Sequence, residues 1–150
     1  MKKYVVGFMF DDQIQNVCLI KKNRPEWQLG KLNGVGGKVD ARETPLEAMV
    51  REFREETGVA TLAKTWAHVC TLRFPYAEVD FYAAKNTGFY TAAQTMTDEA
   101  VVHAQLVQEI FMGVGVVENV PSLLELSIQR LSDRIGVAPA AWQKTQQQES

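Results

Sequence analysis

Residues 37–59 read GKVDARETPLEAMVREFREETGV, and this stretch decides the local fold around it. Thr44 suits the N-cap of a helix, Pro45 suits its first turn, and Glu47 completes a capping box. Gly58 can end the helix because glycine tolerates the left-handed conformation that follows a last turn. Apolar residues recur at i, i+3, i+4 and i+7, which predicts one buried stripe formed by Leu46, Met49, Val50 and Phe53.

The same helix carries three glutamates close together on one side, Glu52, Glu55 and Glu56. Their i+3 and i+4 spacing brings like charges together, which weakens a helix, and only Arg51 and Arg54 are near enough to offset them. Glu55 and Glu56 also lie in the last turn, where the helix dipole disfavours anions. A hard divalent cation such as Mg²⁺, bound by carboxylate oxygens, would remove this conflict. The alternative interpretation is a solvated acidic face with ordinary Arg–Glu pairs.

The spacing of the whole stretch resembles the Nudix box at every defined position. The chain has Gly37, five residues, Glu43, seven residues, Arg51-Glu52-Phe53, one residue, Glu55-Glu56, one residue and then Gly58-Val59. So many fixed residues at fixed spacing make this a specific signal. The resemblance implies a Nudix-fold protein, usually a Mg²⁺-dependent pyrophosphohydrolase of nucleotides, with Mn²⁺ as a substitute metal.

The elements around the box predict a mixed sheet. Loops are expected at residues 25–31 and 85–96, and a closing helix is expected at about residues 122–131. The predicted strands, of which the third is broken by glycines, are residues 3–10, 17–20, 32–39, 65–74, 79–84 and 100–107. This order of elements predicts an α/β fold with the mixed sheet between helices, an α/β/α sandwich of the Nudix type.

The resemblance also implies which residues hold the metal. In Nudix enzymes the box glutamates bind Mg²⁺, which grips the phosphates and lowers the pKa of a water molecule. We carry this role over to Glu52, Glu55 and Glu56. A backbone carbonyl of the paired glycines before the box helps to bind the metal, and here that glycine is Gly36.

Two further residues are expected to take part in catalysis. Arg51 is expected to orient the carboxylates, because it lies four residues before Glu55 and can reach back to Glu43. Many Nudix enzymes carry another acid that serves as metal ligand or general base, and Glu99 is its best counterpart. An exposed acid at a strand edge is the alternative for Glu99. The general base is either Glu55 or Glu99, and the sequence leaves both open.

Four residues are candidates for substrate binding. Lys22 stands in a basic cluster where Nudix proteins often contact phosphate, although a solvated strand end explains it as well. Asn33 and Lys38 belong to Asn-Gly-x-Gly-Gly-Lys, which resembles a segment of hydrolases for oxidised purine nucleotides. There the Asn reads the base edge, whereas a turn Asn before Gly is the alternative. Asn119 lies two residues before Pro121, which resembles the MutT branch, where that Asn hydrogen-bonds the base; otherwise it is a helix-entry residue.

The leading functional hypothesis is a MutT-like pyrophosphohydrolase that cleaves (deoxy)nucleoside triphosphates to monophosphate and pyrophosphate. Oxidised purine nucleotides such as 8-oxo-dGTP are the expected special case. A hydrolase of ADP-ribose or diadenosine polyphosphates is the alternative, since Pro75 and Tyr76 fall where those subfamilies place a Pro or Tyr. A hairpin turn explains the same pair. A nucleotide-sensing module without catalysis is a third reading, which the intact box disfavours.

The composition excludes several other classes of protein. A chain of 150 residues suffices for one domain, placed at residues 1–137 with a flexible polar tail at 138–150. A net charge of −2 gives no basic surface for a stable nucleic-acid partner. Cys18 and Cys70 lack metal-ligand spacing, so reduced core thiols are expected.

The sequence also predicts where the protein works. No apolar run reaches membrane-spanning length, and the first residues are too short and too soon acidic for a signal peptide, so no membrane contact is expected. The expected location is the cytoplasm and the expected partner is a small nucleotide. The oligomeric state stays open, and a homodimer is compatible with the sequence.

Overall fold

The computed structural model describes residues 1–133, so the predicted tail and the last four residues of the predicted domain lie outside the described residues. The strands are β1 (Lys2–Phe10), β2 (Asn16–Lys21), β3 (Leu32–Asn33), β4 (Val35–Lys38), β5 (Ala67–Arg73), β6 (Ala77–Lys85) and β7 (Ala100–Gln105). The helices are α1 (Pro45–Thr57), α2 (Thr87–Ala92), α3 (Gln108–Phe111) and α4 (Val120–Asp133). Short 3-10 turns occupy residues 26–28 and 63–65.

Strand β1 is the centre of a mixed sheet. Its run of apolar residues is buried on both sides from Phe8 to Phe10, as a central strand requires. On one side β1 pairs in parallel with β6 along its whole length. On its other side it pairs antiparallel with both β2 and β4, and Val5 lies opposite Gly37. The sheet order is β3-β2-β1-β6-β5, with β4 beside β1 and β7 beside β2.

One face of the sheet packs against α1. Side chains alternate along a strand, so Val5 and Met9 of β1 point to this face. There they contact the helix stripe, in which Ala48, Met49 and Phe53 are buried. Burial of each large apolar side chain contributes roughly 1.5–3 kcal/mol, so this packing fixes where the carboxylate side of α1 can lie.

The opposite face of the sheet packs against α4. Phe8 and Phe10 point to this face and join Leu123, Leu124 and Leu131 of the helix. The predicted α/β/α arrangement with a mixed sheet is therefore confirmed. Both cysteines are free thiols, with Cys18 buried in the α1 face and Cys70 half-buried. None of the helices within residues 1–133 is both long and apolar enough to cross a membrane.

Two segments differ from the sequence prediction. Residues 85–96, predicted to be a loop, contain α2. Asn86 caps the start of this helix, since its side chain accepts a hydrogen bond from the Phe89 N–H at 2.9 Å. Six residues are too short for a helical period to show in the sequence. The closing helix begins at Val120 rather than Ser122, because Pro121 is compatible with a first helical turn.

Candidate active site

Helix α1 is fixed at both ends by its own sequence. The predicted capping box is present, with Thr44 Oγ1 accepting from the Glu47 N–H at 3.1 Å and Glu47 Oε1 accepting from the Thr44 N–H at 3.1 Å. At the other end Gly58 adopts a left-handed φ of 79° and donates its N–H to the Arg54 carbonyl at 2.8 Å. The helix therefore presents its carboxylate side at one defined place beside β4.

Arg51 organises the acidic side of this helix. Its guanidinium reaches Glu43 with Nη2 at 2.6 Å from Oε1, and the same Nη2 donates to the Lys38 carbonyl at 2.9 Å. Its Nη1 lies 2.8 Å from Glu52 Oε1 and 3.2 Å from Glu55 Oε2. The hydrogen bonds from Arg51 hold the pKa of Glu43 below its ordinary value. The predicted contacts to Glu43 and Glu55 are thus present, and Arg51 joins loop, strand and helix.

Glu52 lies against the backbone of β4. A methyl group on Gly37 would come within 2.5 Å of the Glu52 carboxylate carbon. The Glu52 side chain can therefore lie this close to β4 only because residue 37 is a glycine. The Glu52 side chain is largely buried, and this burial raises its pKa although Arg51 acts in the opposite direction. Gly37 therefore belongs to the site through the space that it leaves.

Glu56 is the most perturbed carboxylate of the helix. Its Oε2 accepts a hydrogen bond from the Gly36 N–H at 3.1 Å. Burial first, and then the negative charge of Glu52, raise the pKa of Glu56 from 4.5 to about 7, against the opposing effect of Lys22. Neighbouring like charges in a half-buried place are the condition that a bound cation relieves.

The donor atoms of this region suit Mg²⁺. Within residues 1–133, three His, Cys, Asp or Glu side chains do not converge on one point as a closed metal site. Mg²⁺ is usually held by one or two carboxylates together with phosphates and water, so a closed cage is not required. Glu52 and Glu56 supply such oxygens beside Gly36, whose carbonyl was the predicted backbone ligand.

Glu99 lies beside this region but is held differently. It is only 4% exposed, and its Oε1 is 3.0 Å from Lys22 Nζ. Its Oε2 accepts from the Asn23 N–H at 2.6 Å and from the Arg24 N–H at 3.4 Å. Burial acts to raise the pKa of Glu99, but these donors outweigh it and hold the pKa below its ordinary value.

A cavity of about 730 Å³ opens next to these groups and receives three of the predicted substrate residues, Lys22, Asn33 and Asn119. Gly36 and Gly37 also line it, which connects it to the carboxylate side of α1. The Asn33 side chain accepts from the Gly34 N–H at 2.7 Å, and Asn119 is exposed where α4 begins. Both residues line the cavity, while Asn33 also makes a turn contact and Asn119 lies at the entry to the helix.

Two aromatic residues of the cavity were not predicted as site residues. Trp27 is 63% exposed on the loop between β2 and β3, and Phe74 is 49% exposed at the turn between β5 and β6. In the sheet order, β1 lies between β2, which precedes the Trp27 loop, and β6, which follows the Phe74 turn, so the rings stand at opposite sides of the cavity floor. The one signal in the sequence was a large apolar residue in a polar loop at Trp27.

Lys38 lies away from this cavity. It lines a second hollow of about 970 Å³ together with Lys2, Lys3, Pro75 and Tyr76. The structure therefore separates Lys38 from Asn33, although both belong to one short segment, because Asn33 pairs with Ile20 of β2 whereas Lys38 pairs with Tyr4 of β1. Its backbone carbonyl still contributes by accepting the hydrogen bond from Arg51.

The family model of the NUDIX domain matches residues 2–109 of this chain. Comparison with curated proteins gives no match.

Solved structures share the fold. MutT of Aliivibrio salmonicida and Vibrio cholerae gives a TM-score of 0.67 at 22% identity, covering 85% of this chain and 98% of that one. The NUDIX domain of Shewanella oneidensis NrtR, solved with ADP ribose, gives 0.69 at 20% identity, covering 86% and 87%. The MutT NUDIX hydrolase of Burkholderia pseudomallei gives 0.63 at 20% identity, covering 83% and 96%.

Proposed function

The chain belongs to the NUDIX domain family, and from that membership we propose that it hydrolyses nucleoside triphosphates to a monophosphate and pyrophosphate. Family membership supports a hydrolase of nucleotide derivatives in general. One observation carries the narrower proposal: Asn33, Asn119 and Lys22 line a single cavity that Gly36 also lines, and Gly36 contacts Glu56. A base and its phosphates therefore have separate but adjoining places.

The residues of α1 divide the work on the phosphates. Mg²⁺, when bound, supplies positive charge to the phosphates and an activated water. Glu52 and Glu56 would hold the metal, while Arg51 keeps Glu52 and Glu55 in place. Glu55, whose side chain is 57% exposed, takes the proton of the attacking water. The water oxygen bonds to phosphorus, the bridging P–O bond breaks, and pyrophosphate leaves.

The cavity provides the contacts that a nucleobase requires. The side-chain amides of Asn33 and Asn119 each offer a donor and an acceptor to the edge of a base. Trp27 and Phe74 offer ring faces, and stacking on an aromatic side chain is worth about 1–3 kcal/mol for each base. An oxidised purine differs from the ordinary one in a donor at its edge, which is the feature that amides distinguish. We therefore place oxidised purine triphosphates first among the substrates.

A second candidate rests on the neighbouring hollow. Phe74 and Gly37 line the first cavity, and the next residues, Pro75 and Lys38, line the second hollow, so the two adjoin at this edge of the sheet. A longer substrate with two ends, such as ADP-ribose or a diadenosine polyphosphate, would extend from one to the other. Lys2, Lys3 and Lys38 line the second hollow together with Asp40 and Glu43, so lysines outnumber acids there and leave positive charge for such an end.

One screen separates these candidates. Purified protein with Mg²⁺ is given ordinary and oxidised deoxynucleoside triphosphates, ADP-ribose and diadenosine tetraphosphate, and the products are separated by chromatography. Monophosphate and pyrophosphate from an oxidised purine triphosphate are the expected products. Preference for ADP-ribose or the dinucleotide would transfer the assignment to the second candidate. Binding of a nucleotide by calorimetry without turnover of any substrate would identify a sensing module instead.

A further inference from the structure

Glu99 is placed to hold a loop rather than to react. We infer that Glu99 is a positioning residue, whose carboxylate fixes the loop of residues 22–31 and with it Lys22 and Trp27 over the nucleotide cavity. This inference rests on the proposed function, because the cavity is taken as the nucleotide site. It replaces the expectation that Glu99 is a metal ligand or general base.

The register of the sheet brings the two partners together. Strands β2 and β7 pair antiparallel, and Lys21 lies opposite Ala100. The residues one step beyond this last pair, Lys22 and Glu99, therefore meet at the end of the ladder. Their separation in sequence hides the pairing until the two strands are placed side by side.

The Glu99 carboxylate accepts three hydrogen bonds from this loop. A carboxylate offers about four lone-pair sites. Oε1 faces Lys22 Nζ at 3.0 Å and an Arg24 guanidinium nitrogen at 3.8 Å. Oε2 accepts the N–H groups of Asn23 at 2.6 Å and of Arg24 at 3.4 Å. A general base needs a free lone pair directed at water, and in this arrangement those of Glu99 are directed at the loop.

The loop depends on this polar attachment. Its base is closed by two backbone hydrogen bonds between Lys22 and the residues Gly30 and Lys31, each at 2.8 Å. The 3-10 turn at residues 26–28, which carries Trp27, contains no buried residue, so apolar packing does not hold it. The Asp98 carbonyl adds a hydrogen bond from Asn23 Nδ2 at 2.7 Å. The segment Asp98-Glu99 therefore forms hydrogen bonds with Lys22, Asn23 and Arg24. These contacts set the position of Trp27, three residues further along the loop.

The substitution Glu99→Gln tests this role, with Asp98→Asn as the matched control. In either orientation the glutamine NH2 group would face a donor, either Lys22 Nζ or the backbone N–H groups of Asn23 and Arg24, so the loop should loosen. Asp98→Asn keeps the backbone carbonyl that contacts Asn23 and removes the charge of an ion pair with Arg24, whose two side chains are 62% and 63% exposed. An ion pair so exposed contributes little to stability, so this control separates the buried Glu99 carboxylate from surface charge. Three quantities are measured: kcat and KM with the triphosphate, nucleoside binding by calorimetry in EDTA, and hydrogen exchange of the amides of residues 22–31.

The expected result for Glu99→Gln is a KM raised about tenfold or more, metal-free nucleoside binding weakened by a similar factor, and faster exchange in the loop. The kcat should stay within about threefold and Asp98→Asn should resemble wild type. A kcat lowered about 100-fold or more, with KM, nucleoside binding and exchange unchanged, would overturn the inference in favour of a catalytic role.

A double-mutant cycle with Trp27→Ala gives a second, independent readout. If Glu99 acts through the loop, Glu99→Gln should change metal-free nucleoside binding little once Trp27 is absent, so the two effects on this binding are not additive. Additive effects would contradict the inference. Should Glu99→Gln fail to fold, Glu99→Asp is used, since its shorter carboxylate loses the same contacts. If wild type hydrolyses no nucleotide, the proposed function fails, while exchange in the loop still decides the role of Glu99.

Discussion

Single residues of α1 differ in how tightly they are held, and this difference gives each glutamate its expected role. Glu52 and Glu56 lie against Gly37 and Gly36, whereas Glu55 points to solvent with one contact to Arg51. Removal of one negative charge without change of shape should therefore impair the chemistry while the protein still folds.

We predict that Glu55→Gln and Glu56→Gln each lower kcat about 100-fold or more, while the fold stays intact. The control is Glu125→Gln, an equivalent change on the exposed side of α4. Turnover is measured with saturating Mg²⁺, and the fold is checked by circular dichroism and thermal melting. Wild-type turnover in either variant would refute the assigned roles.

The titration of Glu56 gives a prediction on stability against pH. Its pKa is raised to about 7 in the folded protein, mainly by burial, whereas in the unfolded chain it is near 4.5. A raised carboxyl pKa favours the protonated form, so its contribution is full below about pH 4.5 and is lost as pH rises through about 7. That loss is of the order of 3 kcal/mol.

The measurement is urea unfolding in EDTA at several pH values between 4.5 and 8, for wild type and Glu56→Gln. The difference in unfolding free energy between the two proteins should change over this window in favour of the variant. Addition of Mg²⁺ should reduce the difference at high pH. A difference independent of pH would mean that Glu56 titrates normally.

The two neighbouring glycines of β4, Gly36 and Gly37, differ in what a side chain at each position would contact. The sequence alone does not show this difference. A methyl group on Gly37 meets the Glu52 carboxylate, which is the end of a flexible side chain. A methyl group on Gly36 meets the backbone of Val5, with the carbonyl carbon at 2.8 Å. The first clash can be relieved by moving a functional group, and the second cannot be relieved without separating β4 from β1.

Gly37→Ala should therefore lower activity about 100-fold through the displaced Glu52 carboxylate, and its unfolding free energy should fall by about 1 kcal/mol or less. Gly36→Ala should lower the unfolding free energy by about 3 kcal/mol or more. Paired chemical denaturation and turnover measurements check both. Equal loss of stability in the two variants would contradict the distinction.

Elements with local signals could be predicted from the sequence, and those that depend on strand pairing could not. Helix α1, its caps and the contacts of Arg51 follow from residues within one or two turns of each other. Helix α2 could not be predicted because it is short, and no periodic pattern of apolar residues follows its cap, Asn86. Trp27 and Phe74 line one cavity because the parallel pairing of β1 and β6 brings the two connections that carry them to the same cavity.

At the scale of the whole molecule, two layers contribute different parts of the proposed site. Helix α1 supplies the carboxylates, while the loop before β3, the β5–β6 turn and the start of α4 supply Trp27, Phe74 and Asn119. The glycines of β4 lie at the boundary between these two parts. Recognition of the base and chemistry on the phosphates should therefore respond to different substitutions.

We predict that a nucleoside alone binds to the wild-type protein in EDTA, because its contacts do not involve the carboxylates. Trp27→Ala should weaken this binding about fivefold or more, since stacking is lost, whereas Glu56→Gln should leave it within about twofold. With a non-hydrolysable triphosphate, addition of Mg²⁺ should raise affinity in wild type and in Trp27→Ala but not in Glu56→Gln. Calorimetry of the three proteins measures both quantities. If Glu56→Gln weakened nucleoside binding as much as Trp27→Ala, the carboxylates would also affect binding of the base. The proposed separation of base recognition from chemistry on the phosphates would then be wrong.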